Sequence, residues 1–143
     1  MTNRSKNSSD LASERQGMRP KTLARVAELT AGGDSFDRCL ANFLDEFYYA
    51  PTESAFAETP MLLAPLFGEL GQVEDAYLAA VAEELARRFG LPLPAWTMTE
   101  DRWVHKPWFA SPLASLRAVL LLESPAGFRS RNLFVSENAL SRV

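Results

Sequence analysis

The chain has little of what most metal centres and nucleophilic active sites are built from. It contains one cysteine, Cys39, and one histidine, His105, which excludes an internal disulfide and a His/Cys metal cluster. A single cysteine also fits a reducing cytoplasm. A Ser-His-Asp arrangement could use only His105, and the sequence has no G-x-S-x-G turn. We therefore expect His105, which lies between Trp103 and Trp108, to be a packing or hydrogen-bonding residue.

Nucleotide-binding signatures are absent as well. There is no Walker loop and no G-x-G-x-x-G. Gly32-Gly33 with Asp34 and Asp37 superficially matches a nucleotidyltransferase signature, but there the acids follow after a longer spacer and alternate on a strand. Here they adjoin the glycines at the start of a predicted helix, so capping explains them better. We expect no catalytic residues, no metal, no cofactor and no enzymatic activity.

Long apolar runs are also missing. No run approaches the roughly 18–20 residues that a membrane-spanning helix requires. The N-terminus is polar and lacks the apolar core of a secretory signal. These absences predict a cytoplasmic protein without a membrane partner.

What is present is an ordinary globular composition with an uneven charge. Of 143 residues, 47% are hydrophobic and 23% charged, which suits one domain with a real core. Residues 1–25 carry a net charge of +4, residues 26–124 of −9 and residues 125–143 of +2. The acidic region, residues 26–124, argues against a broad nucleic-acid-binding face and suits a basic protein partner. The alternative is that its charge only keeps the domain soluble.

The apolar spacing predicts an all-α fold. We expect a single compact helical domain of about five to six helices over residues 18–143, with a Pro/Trp-rich loop and an irregular C-terminal tail. Residues 1–17 are polar and predict a disordered leader, and Met18 would serve as an alternative start. The sequence gives no β-hairpin signal and no internal repeat.

Helical periodicity is clearest in the second predicted helix. Its apolar residues, from Phe36 to Tyr48, follow a Ser35 or Asp34 cap and end at Ala50-Pro51. Another long helix is predicted over residues 72–89. A further helix follows Ser111-Pro112 and runs through Leu122. Because the AVLLLE run of this last helix is apolar nearly all round, we expect it to be the central buried helix.

Two adjacent acid pairs lie on these helices, Asp45-Glu46 and Glu83-Glu84. Neighbours on a helix point about 100° apart, so we interpret each pair as a solvated edge rather than an acid–base site. Arg87-Arg88 follows Glu83-Glu84 at i+4, which predicts two surface ion pairs.

Three tryptophans cluster in the Pro-rich stretch: Trp96, Trp103 and Trp108. One interpretation is that they hold the loop against the central helix. The other is that they form a protein-binding surface, because Trp and Arg are frequent binding anchors. Base stacking is a third reading, which the scarcity of nearby basic residues weakens.

The last fifteen residues, RSRNLFVSENALSRV, combine an apolar trio with many polar groups. In one interpretation the tail packs Leu133, Phe134 and Val135 on its own domain, and Ser136 caps a final turn. In the other, Phe134 anchors a partner that also contacts polar residues directed outward. The candidate partner-binding residues of the whole chain are Trp103, Trp108, Arg129, Arg131, Asn132 and Phe134.

The motifs DAYLAAVAEELA, LPLPAW, PWFA, LLLESP and RNLFVS occur in this order over residues 73–143. In this the chain resembles a widespread family of small bacterial proteins that often lie beside a nucleotidyltransferase-like protein of toxin–antitoxin systems. The resemblance implies a helical partner, or antitoxin, of such a protein.

The leading hypothesis is thus a non-enzymatic protein that binds and neutralises a cognate nucleotidyltransferase-like toxin. The alternative is a nucleic-acid-binding regulator that uses the basic leader with Arg129 and Arg131. An enzyme with an unlocated carboxylate site is a third option. Direct nucleic-acid binding is not expected under the first hypothesis, and a homo-oligomer is compatible with it.

Overall fold

The computed structural model describes residues 19–111 and 113–142. In these ranges the chain forms six α-helices and one pair of two-residue strands, which confirms the expected all-α domain. The predicted leader, residues 1–17, and the alternative start Met18 lie outside the described residues. None of the helices in the described part of the chain combines the length and the hydropathy that a bilayer crossing requires.

The first two helices each begin at a capping hydroxyl, and the second follows the predicted apolar pattern. Helix α1 spans Leu23–Ala31 and α2 spans Phe36–Tyr49. The hydroxyls of Thr22 and Ser35 each accept a hydrogen bond from the backbone N–H three residues on, at 3.0 and 3.2 Å. These bonds satisfy N–H groups that a helix leaves free in its first turn. The apolar stripe of α2 is buried at Cys39, Leu40, Phe43, Leu44 and Phe47.

A short helix leads into the longest one. After a 3-10 turn at Glu53–Ala55, α3 spans Ala64–Phe67 and α4 spans Glu69–Phe89. Helix α4 begins three residues before its predicted start and ends at Gly90, which has a left-handed φ of 64°. At Gly71 a Cβ would lie 2.3 Å from the Leu63 carbonyl oxygen, so the close approach of α3 to α4 requires a glycine.

Helix α4 is the centre of the fold. Its buried residues include five alanines and three carboxylates, and several other elements pack against it. The expectation that residues 111–122 form the central buried helix is wrong. Helix α5 spans Ala114–Glu123, and most of its described side chains are exposed. An apolar helix gains from burial only where other elements cover it, and the chain places them around α4 instead.

The remaining elements join the Pro-rich loop to the C-terminal segment, by which we mean residues 129–142. Two 3-10 turns, Ala95–Met98 and Glu100–Arg102, follow the extended LPLP stretch. Strand β1 (Trp108–Phe109) then pairs in parallel with β2 (Leu133–Phe134). Helix α6 (Ala126–Arg129) begins directly after Pro125 and precedes β2. The strand pair was not predicted, because two residues are too few for a periodicity signal.

Candidate functional site

The C-terminal segment packs on its own domain, and Arg131 is its anchor. Arg131 has no exposed surface. Its Nη1 donates to Glu83 Oε1 at 2.6 Å and to the Gly127 carbonyl at 2.7 Å, and its Nη2 donates to the Thr97 carbonyl at 2.8 Å. The guanidinium also lies 5.1 Å from the centre of the Trp103 ring. The structure therefore agrees with the interpretation in which the tail packs on its own domain.

Asn132 and Phe134 also pack the C-terminal segment against the rest of the domain. Asn132 has a left-handed φ of 65°, which Asn tolerates better than most residues, and its Nδ2 donates to the Val104 carbonyl at 2.9 Å. Phe134 is buried and stacks on Phe109 with ring centres 5.0 Å apart. Neither side chain is free on the surface as a binding anchor.

The other three predicted binding residues lie nearer the surface. Arg129 is exposed, and its Nη1 donates to the Ser124 carbonyl at 3.0 Å. Trp103 and Trp108 are half-buried, and Trp103 Nε1 donates to the Ser130 carbonyl at 2.8 Å. Trp103 thus meets the C-terminal segment through Arg131, whereas Trp108 lies in β1 beside a separate cavity.

Burial of Arg131 also bears on the nucleic-acid alternative. Phosphate binding depends on exposed Lys and Arg side chains. Of the two C-terminal arginines proposed for that role, only Arg129 is exposed. The predicted basic leader lies outside the described residues.

A second buried arginine, Arg102, was not anticipated from the sequence. Its Nη2 donates to the Pro60 carbonyl at 2.6 Å, and its Nη1 lies 3.9 Å from Asp75 Oδ1 on α4. The guanidinium lies 4.9 Å from the centre of the Trp96 ring. Asp75 in turn accepts from the backbone N–H of Leu63 at 2.6 Å. Arg102 therefore connects the Pro-rich loop to α4, as Arg131 connects the C-terminal segment to it.

The interpretation of Glu83-Glu84 as a solvated edge is wrong. Glu84 is buried, and its Oε2 accepts from the Gly127 N–H at 2.9 Å. Glu83 pairs with Arg131, as described above. Arg87 does form the predicted helix pairs, with its Nη atoms 2.6 Å from an oxygen of each glutamate. Glu84 therefore binds α4 to the start of α6, and Glu83 binds α4 to the C-terminal segment, both more than forty residues further along the chain.

His105 also departs from expectation, because it is exposed rather than packed between the tryptophans. Cys39 is buried on α2, and burial raises the pKa of its thiol. Within residues 19–111 and 113–142, no three His, Cys, Asp or Glu side chains converge so that they could hold a metal ion.

Helix α5 and the residue before it carry several exposed apolar side chains. Leu122 is 83% exposed, and roughly half of the surface of Val119 and Leu121 is also accessible. Only Leu120 is buried among the side chains described for this helix. Large exposed apolar patches are rare on monomers and mark interaction sites. We call Leu113, Leu116, Val119, Leu121 and Leu122 the α5 surface.

The chain holds α5 firmly at its C-terminal end. The Ser124 hydroxyl donates to the Leu133 carbonyl at 2.9 Å, and the same oxygen accepts from the Val135 N–H at 3.2 Å. On the helix itself, the Arg117 guanidinium lies 5.2 Å from the centre of the Phe109 ring. The C-terminal segment thus positions α5 without covering its apolar residues. The sequence showed these residues as apolar, but it gave no sign that they stay exposed.

Comparison with protein-family models, curated proteins and solved structures yields no significant match for this chain.

Proposed function

We propose that this chain is a non-enzymatic helical protein that binds and neutralises a cognate nucleotidyltransferase-like protein, and that the α5 surface is its docking site. The observation that carries the proposal is the exposure of Leu122, Val119 and Leu121 on a helix that is apolar nearly all round. An exposed apolar helix commonly docks in a groove of a partner, with residues three and four apart as anchors. The nature of the partner rests on the sequence resemblance.

Charge favours a basic partner over a second copy of the chain. Residues 26–124 carry a net charge of −9, so two copies that meet through this region bring like charges together. A protein that handles nucleotides or RNA presents a basic face to phosphates. In this mechanism α5 supplies the apolar contact, and the acidic region covers the basic face of the partner.

Co-expression with the protein encoded by the adjacent gene, which the proposal expects to be nucleotidyltransferase-like, tests the proposal. We expect the two proteins to co-purify and the chain to restore growth that the partner arrests. Leu122→Glu should abolish both effects, because it places a charge at the centre of the contact. Leu93→Glu is the matched control, since Leu93 is an exposed leucine of the Pro-rich loop.

Each outcome has a defined meaning. Absence of co-purification and of growth rescue by the unaltered chain would refute the function. If the unaltered chain binds and Leu122→Glu binds equally well, the function stands and the α5 docking site is refuted. A concentration-dependent dimer of the chain alone that Leu122→Glu dissolves would assign the α5 surface to a second copy instead.

A further inference from the structure

A cavity of about 380 Å³ opens between the start of α2, the first half of α4 and strand β1. Aromatic residues from all three elements line it: Phe36, Tyr77 and Trp108. Two carboxylates, Asp37 and Glu74, join them. Among the described residues, no lysine or arginine lines this cavity. Nothing in the α5 surface contributes to it.

Glu74 is the unusual member of this group. Only 7% of the residue is exposed, and its Oε1 has no hydrogen-bond partner among the described residues. Within the described residues it forms no ion pair either. Burial, Asp75 and Asp37 all raise the pKa of Glu74. A buried carboxylate is costly to ionise unless a donor or a cation meets it. The neighbouring Asp75 differs, because it is paired with Arg102 and with the N–H groups of Leu63 and Ala64.

The aromatic rings of this cavity add faces that can bind an organic cation. Phe36 and Tyr77 meet edge to face with centres 5.8 Å apart. The pKa of Tyr77 is raised to about 12 by burial and by Asp37, so its phenol remains neutral near physiological pH. Aromatic faces attract organic cations, and carboxylates beside them supply the opposite charge. The start of α2 would favour an anion, but Ser35 caps it and Asp37 lies in its first turn.

We propose that this cavity, lined by Phe36, Asp37, Glu74, Tyr77 and Trp108, is a binding site for an organic monocation, an alkylguanidinium or alkylammonium group. The group enters between the rings, and its N–H donors meet Glu74 and Asp37. Such a group arises either in a free small amine or in an arginine side chain that a protein inserts. The site does not depend on the proposed neutralising function, because it requires neither α5 nor the nucleotidyltransferase-like partner.

Isothermal titration of the full chain tests this proposal with three probes. Agmatine represents the free cation, an acetylated and amidated Gly-Arg-Gly peptide represents the side chain, and the same peptide with citrulline is the neutral control. We expect at least one guanidinium probe to bind saturably and to shift the Trp108 indole N–H signal in an NMR spectrum. The citrulline peptide should bind at least about tenfold more weakly. The tighter of the two guanidinium probes identifies the source of the cation.

Variants then assign the binding to the carboxylates. Glu74→Gln keeps the shape and removes the charge, and it should weaken binding at least about tenfold. Asp37→Asn, at an exposed position, provides a second variant that folding defects are not expected to affect, and a smaller loss is expected. Asp34→Asn is the matched control, because Asp34 does not line the cavity. Absence of saturable binding, equal affinity for the citrulline peptide, or full affinity in both Glu74→Gln and Asp37→Asn would overturn the proposal.

Discussion

Helices α4 and α5 distribute polar and apolar residues in opposite ways. Helix α4 buries three carboxylates among its alanines, whereas α5 leaves most of its leucines exposed. The small alanines let neighbouring elements approach α4 closely, and arginines from distant segments meet two of its carboxylates. Among the elements of residues 19–111 and 113–142, no comparable group covers α5. The comparison teaches that the partners a helix finds, rather than its mean hydropathy, decide whether it is the core.

The largest expected effect concerns the contact between α4 and the C-terminal segment. Arg131→Ala removes the hydrogen bonds of a buried guanidinium to Glu83 and to the Gly127 and Thr97 carbonyls, so the free energy of unfolding should fall by about 3–5 kcal/mol. Urea denaturation measures this loss. Arg129→Ala, two residues away and exposed, should change stability by less than about 0.5 kcal/mol. Equal effects of the two substitutions would contradict the role of Arg131 as an anchor.

A matched pair of leucines compares the two helices directly. Leu85 of α4 is fully buried, and Leu122 of α5 is 83% exposed. Leu85→Ala should destabilise the protein by about 2–5 kcal/mol, because it removes apolar contacts and leaves a cavity. Leu122→Ala should stay within about 0.5 kcal/mol of the unaltered protein. Thermal and urea unfolding of the two variants would refute the assignment of core and surface if the order were reversed.

Trp96 and Trp103 allow a similar comparison, with a smaller expected loss of stability. Trp96 Nε1 donates to the Phe56 carbonyl at 2.8 Å inside the core, where Phe56 has no exposed surface. Trp96→Phe leaves that carbonyl unpaired and should cost about 1–3 kcal/mol. Trp103→Phe breaks a bond to the exposed Ser130 carbonyl, where water can replace the donor, so its loss in denaturant midpoint should be smaller.

The smallest expected effect is a dependence of stability on pH. Because the pKa of Glu74 is raised in the folded protein, the folded state holds its proton more tightly than the unfolded state. Its stabilising contribution is therefore full below the ordinary value of 4.5 and is lost as the pH rises through the folded pKa. Glu74→Gln should match the unaltered protein near pH 4 and exceed its melting temperature near pH 8. Asp75 titrates in both proteins, so its contribution cancels in the difference.

Much of the fold follows from local signals in the sequence. The apolar spacing and the cap predicted at Ser35 or Asp34 indicated helix α2, and the structure confirms the helix and places the cap at Ser35. Gly90 marks the end of α4 as predicted. These features depend on contacts between residues a few positions apart, and the spacing of residue types in the sequence is enough to predict such contacts.

The candidate sites depend on contacts that spacing does not record. Arg131 meets Glu83 across 48 positions of the chain, and Arg102 meets the Asp75 carbonyl across 27. The sequence analysis named Arg131 as a candidate partner-binding residue, but it could not show that the guanidinium is buried. It also did not connect Glu74 with Phe36 and Trp108, since these residues come from three separate elements. The exposure of α5 was missed for the same reason.

Amide hydrogen exchange tests the central claim most directly, measured on the chain alone and with the co-expressed nucleotidyltransferase-like protein. In the free protein, amides of α4 should exchange only through global unfolding, and those of residues 114–123 should exchange at least about 100-fold faster. The partner should then slow exchange in residues 114–123. Equal protection of α4 and α5 in the free protein, or no added protection of α5 in the complex, would contradict the account.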